Sequence, residues 1–168
     1  MKRIGVLMAM LAMSPLAVQA QTTTSPLAVT ATVSAALNAS QVAPLDFGAF
    51  AANSVSTVAH GDPGVGIMQV DYSSTAVSVV VTEPANLVHT NTVTTMGATY
   101  TCGWSTSATS DAGVTGVACG ALPNGPTNGT PGTQISNYIQ VAGAATAAVG
   151  QLPGVYSGSF SMQVTAVY

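Results

Sequence analysis

Residues 154–168 read GVYSGSFSMQVTAVY, and along them every second side chain is apolar or small: Tyr156, Gly158, Phe160, Met162, Val164 and Ala166. Ser157, Ser159, Ser161, Gln163 and Thr165 fill the positions between. Successive side chains of a strand point to opposite faces, so this period of two predicts a strand over 156–168 with one buried face. Chain ends ordinarily fray and carry polar residues, so a strand this well patterned at the end asks for a reason. LAVTATVSAAL (27–37) is its counterpart near the other end. There Leu27, Val29, Ala31, Val33, Ala35 and Leu37 share one parity, while Thr30, Thr32 and Ser34 take the other.

Between these two stretches the chain reads as more short strands separated by turns. VAPLDFGAF (42–50) holds Pro44 and Gly48, the marks of a bend or bulge. AANSVSTVAHGDPGVG (51–66) is turn-rich, with tight-turn chemistry at His60-Gly61-Asp62-Pro63-Gly64. GIMQVDYS (66–73) and TAVSVVVTE (75–83) predict two strands, the second almost continuously apolar and so central, and Glu83–Asn86 reads as a turn. LVHTNTVTTMGATYTCGW (87–104) predicts two strands around Met96-Gly97, and VTGVACGAL (114–122) a weak one. PNGPTNGTPGT (123–133) reads as an exposed loop, YIQVAGAATAA (138–148) as a strand, and Gln151–Gly154 as a turn. Seven to nine strands at regular spacing, with no amphipathic helix, predict an all-β sandwich.

The first residues set the compartment. Lys2 and Arg3 precede an uncharged apolar run, IGVLMAMLAM (4–13). Ser14-Pro15 breaks the run, and Ala17-Val18-Gln19-Ala20 supplies small residues where a signal peptidase cuts. The run is too short for a bilayer span, which needs about 20 apolar residues. Residues 1–20 are therefore expected to be a cleaved secretory signal. Lys2 and Arg3 are also the only Lys or Arg in the chain, whereas all five acids lie further on. Nucleic-acid binding needs cations to replace phosphate counterions, so that class of function is excluded.

Cys102 and Cys119 are the only cysteines, and export delivers them to an oxidising compartment, so a disulfide between them is expected. A metal site would have to be completed by His60 and His89, which lack zinc spacing. Trp104 is expected to pack beside the sulfurs. A nucleophilic hydrolase needs a Ser or Cys, a base and an orienting acid, and the G-x-S-x-G elbow is missing. His60-Gly61-Asp62 reads more simply as a solvated turn. The expectation is a protein without catalysis or cofactor.

Two patterned strands at the two ends suit a subunit that polymerises by strand addition. One domain lacks a strand, and the N-terminal extension of the next subunit fills the gap with backbone hydrogen bonds and alternate side chains. The alternative is that 27–37 pairs within its own sheet, and alternation alone leaves the two open. Leu45-Asp46-Phe47-Gly48 near the start and Gly154-Val155-Tyr156-Ser157-Gly158-Ser159-Phe160 before the last strand resemble motifs of secreted bacterial β domains of the spore coat protein U and pilin type. The resemblance implies a single incomplete immunoglobulin-like sandwich over 38–168, with 21–37 as a donor extension bearing Leu27, Val29, Ala31 and Val33. It implies Tyr156, Phe160, Met162, Val164 and Tyr168 as the groove strand that a chaperone captures. Its partners would be copies of itself or sibling pilins, a periplasmic chaperone and an outer-membrane usher, on a path through the periplasm to the cell surface. In the usual pilin the aromatic is penultimate and a Cys lies early, whereas here Tyr168 is last and both Cys are mid-chain. Rival readings are a fibre-tip adhesin or carbohydrate-binding domain, and a self-complete coat or envelope protein.

Overall fold

A computed structural model describes residues 37–167. The expected signal (1–20), the donor positions Leu27, Val29, Ala31 and Val33, and Tyr168 lie outside the described residues. Those residues are all-β: β1 (Leu37–Ala43), β2 (Val55–Val58), β3 (Gly66–Tyr72), β4 (Ala76–Thr82), β5 (Leu87–His89), β6 (Thr95–Ser105), β7 (Ile135–Thr146), β8 (Tyr156–Ser157) and β9 (Ser161–Val167). One short 3-10 helix, Cys119–Ala121, joins them. No helix among the described residues is long and apolar enough to cross a membrane.

The larger sheet runs β1-β3-β7-β6-β5-β8, with β2 also on β7, and the smaller sheet is the pair β4-β9. All the pairings are antiparallel. β7 is the spine. β6 pairs with its residues 138–146 along one edge, so β2 and β3 lie end to end along the other. The excursion between β2 and β3 is the Asp62 turn: the Asp62 carboxylate accepts from Ala59 N–H at 2.7 Å, and Val65 N–H donates to the Asp62 carbonyl at 3.1 Å.

The two sheets share an apolar core. Val70 and Tyr72 of β3, Tyr100 and Cys102 of β6, and Ile139 and Val141 of β7 meet Val77, Val79 and Val81 of β4. Met162 and Val164 of β9 pack against the same cluster. Each large side chain so buried contributes roughly 1.5–3 kcal/mol. The Cys102–Cys119 disulfide lies inside this cluster, and Trp104 packs against it while its indole N–H donates to the Pro123 carbonyl at 2.9 Å.

Several expected elements are placed differently. The break expected at Met96-Gly97 falls inside β6; the chain turns earlier, where the Asn91 side chain accepts from Val93 and Thr94 N–H and Thr92 sits at φ 64°. The strand expected over 114–122 reduces to a single bridge, Cys102–Val117, and the short helix. β2 occupies a stretch read as turns. The strand expected over 156–168 divides: β8 joins the larger sheet through β5, and β9 crosses to the smaller one through β4. The loop 123–133 is tied down along the outer edge of β4 by Gly125 N–H to the Val77 carbonyl (2.7 Å) and Gly129 N–H to the Thr75 carbonyl (3.2 Å).

Candidate functional site

Leu45-Asp46-Phe47-Gly48 is a turn built by one carboxylate. Asp46 Oδ1 accepts from Gly48 N–H at 2.8 Å, and Gly48 takes φ 66°, which costs a glycine little. Asp46 N–H donates to the Gly64 carbonyl at 2.8 Å, and the Ser56 hydroxyl donates to the Phe47 carbonyl at 2.6 Å. Thus held on both sides, the turn sends Leu45 and Phe47 inward, each packing against more than one apolar cluster.

Gly154–Phe160 is fixed by His89. The His89 ring packs edge-on to Tyr156 at 4.9 Å, and its Nε2 lies 3.2 Å from the Pro153 carbonyl. Since His89 Nδ1 accepts from Asn91 N–H at 3.0 Å, Nε2 is the atom that donates. Gly154 lies so close to this ring that a Cβ would overlap Nε2. Tyr156 Oη donates to the Leu152 carbonyl (2.8 Å) and accepts from Gln151 Nε2 (2.7 Å). Phe160 then meets Tyr100 edge-on, centroids 4.9 Å apart.

These two motifs form the facing walls of one cleft of about 1290 Å³. Residues 39–41 and 43–52 line one side and 151–160 with Met162 the other, over a floor that includes Met68, Leu87, Met96, Tyr100 and Val141. β9 borders it. Among the described residues β9 has only β4 as a strand partner, and its side chains alternate between exposed and half-buried. The Tyr100 hydroxyl is buried without a hydrogen-bond partner among the described residues. Desolvation, helped by the charge of Glu83, raises its pKa above the ordinary tyrosine value.

No family model, curated protein or solved structure matches this chain.

Of the groove residues expected from sequence, Tyr156, Phe160 and Met162 line the cleft. Val164 packs against the main core instead, and Tyr168 lies outside the described residues. Leu37, expected to close the donor extension, opens β1. The floor residues Met68, Met96 and Tyr100 carry no sequence signal for this role, because strands expected only as core supply them.

The remaining candidate chemistry is dispersed. His60 Nε2 lies 3.4 Å from the Thr101 hydroxyl, and burial lowers the His60 pKa. Asp62 is consumed by its turn. No three of the His, Cys, Asp and Glu side chains gather into a ligand set among the described residues. Asp71 is buried and accepts from Gln69 Nε2 (2.7 Å), the Ser136 hydroxyl (2.6 Å) and Asn38 Nδ2 (3.4 Å), and the first two bonds lead in holding its pKa below the usual value.

Proposed function

We propose that the protein is a structural subunit of a bacterial surface fibre, assembled by strand donation. One observation carries the reading: an apolar cleft runs beside β9, which among the described residues pairs along one edge only, with β4. An unfilled apolar groove with an open strand edge invites a further strand from another chain. The two-sheet core, with two strands in its smaller sheet among the described residues, supports an immunoglobulin-like sandwich short of one strand. The occupant is residues 21–36 of the next copy, with Leu27, Val29, Ala31 and Val33 facing the floor. Burial of Leu27, Val29 and Val33 would contribute roughly 1.5–3 kcal/mol each. Each new backbone hydrogen bond would add about 1 kcal/mol.

Export follows from residues 1–20 as a cleaved signal. In transit a periplasmic chaperone covers the β9 edge, and an outer-membrane usher exchanges it for the donor of the next subunit. Deleting residues 21–35, with the signal retained, is the direct test. The truncated chain is expected to accumulate as a monomer and to form no polymers in electron micrographs. Fibres of normal length from it would overturn the reading.

A further inference from the structure

Two turns beside the cleft carry large apolar side chains in water. Val93 is 83% exposed on the turn after β5, while Val149 (82%), Val155 (68%) and Leu152 (44%) lie on the turn after β7. The turns are joined: Thr90 N–H donates to the Val155 carbonyl (3.1 Å) and Gln151 Nε2 to the Thr95 carbonyl (3.2 Å). Leu152 and Val155 also line the cleft, and Val149 and Val93 lie on the same two bonded turns. Single exposed apolar side chains need no explanation, but three valines and a leucine on two bonded turns at the rim of one cleft do.

We propose that this patch is the seat for the body of a second copy of the chain, the copy that donates its strand. The inference rests on the strand-donation reading. Its argument is the length of chain available. Only Ser34, Ala35 and Ala36 separate the last donor position, Val33, from Leu37 at the start of β1. Four extended residue steps reach at most about 14 Å. A small domain is about 30 Å across, so the donor's body must abut the acceptor rather than hang from it.

Strand direction selects the end. A donor antiparallel to β9 gains the slightly stronger ladder and places Val33 beside Ser161. That end of β9 adjoins Tyr156 and the 148–155 turn, where the valines are. Leu37, by contrast, pairs with Tyr72, four residues before Ala76, and Ala76 pairs with Val167. The donor strand therefore leaves its own body at the Val167 end and enters the neighbour at the Ser161 end. The contact is head-to-tail and does not close on itself, which is the geometry of a filament.

The test uses the secreted chain with Val93→Asp and Val149→Asp together, since neither residue lines the cleft. Two measurements are made: binding of a synthetic peptide of residues 21–36, and the rate of polymer formation by light scattering. The variant is expected to bind the peptide as the parent does but to polymerise at least about tenfold more slowly. Inserting a long Gly-Ser spacer after Ala36 in both chains should remove most of that difference, because the bodies then no longer need to touch. Polymerisation of the variant at the parental rate would overturn the seat and leave strand donation standing. So would loss of peptide binding in the variant, which would place these valines in the cleft itself. A parent chain that neither binds the peptide nor polymerises would overturn strand donation and the seat together.

Discussion

At the residue scale, two buried polar groups make opposite predictions. The Tyr100 hydroxyl is desolvated with no partner among the described residues, a situation that costs about 1–3 kcal/mol. Tyr100→Phe keeps the ring against Phe160 and removes the penalty. The variant chain should then resist urea better than the parent by about 1 kcal/mol; a clear loss of stability would show that the hydroxyl is satisfied. Asp71 is the reverse case, a buried carboxylate held by Gln69, Ser136 and Asn38. Its folded pKa lies below the ordinary 3.8, so its stabilisation is complete above that value and is lost as pH falls through the lower, folded value. Urea titrations at about pH 7 and about pH 3 should therefore show a larger drop for the parent than for Asp71→Asn. Equal drops would remove Asp71 from the account of acid sensitivity.

At the element scale, the disulfide is the most informative feature. It closes a 17-residue separation that begins on β6, and past Ser105 the only regular structure in that segment is the bridge to Val117 and the start of the 3-10 turn. Such a segment holds its place by the cross-link, so replacing Cys102 and Cys119 together by Ala should cost about 3 kcal/mol. The measurement is thermal unfolding of the double variant against the parent, and an unchanged midpoint would contradict it. The same segment shows where the sequence is hard to read. VTGVACGAL is apolar enough for a strand, yet it is placed by a covalent bond, which periodicity does not register. β3 and the burial of β4 were legible because burial is imprinted on long runs such as AVSVVV, but the central place that run suggested for β4 was not borne out: among the described residues β4 has β9 as its one strand partner. β1 was not legible, since it is an edge strand with six of its seven residues exposed and no alternation to read. The turn at Asn91–Thr94 was hidden because Asn91 makes it with side-chain bonds, whereas Met96-Gly97 offered a more obvious breaker. Tyr156, Phe160 and Met162 stood out in the sequence by their alternation, and all three line one side of the cleft, though they lie on β8, on the link after it and on β9 rather than on one strand. The other side depends on how the Asp46 turn swings Leu45 and Phe47 across the sheet, which only the tertiary arrangement reveals.

At the scale of the whole molecule, the strand-donation proposal makes the stability of the free chain depend on what fills the cleft. A ligand that binds only the folded state adds about 2.7 kcal/mol at a concentration 100 times its dissociation constant. A peptide of residues 21–36 added to the chain lacking 21–35 should therefore raise its unfolding midpoint by several degrees and in a concentration-dependent way. Parity sharpens the expectation, because a strand seated beside β9 shows one set of side chains to the floor and the other to water. Replacing Val29 and Ala31 by Asp should abolish the shift, since each would place a charge over Met68, Tyr100 and Val141 with no cation beside it. Replacing Thr30 and Thr32 by Asp should leave most of it. If both peptides lose the effect equally, the segment binds without a fixed face, and the cleft is not reading it as a strand. If the Thr-substituted peptide fails and the other succeeds, the register is shifted by one residue, and Ala28, Thr30 and Thr32 are the side chains that enter.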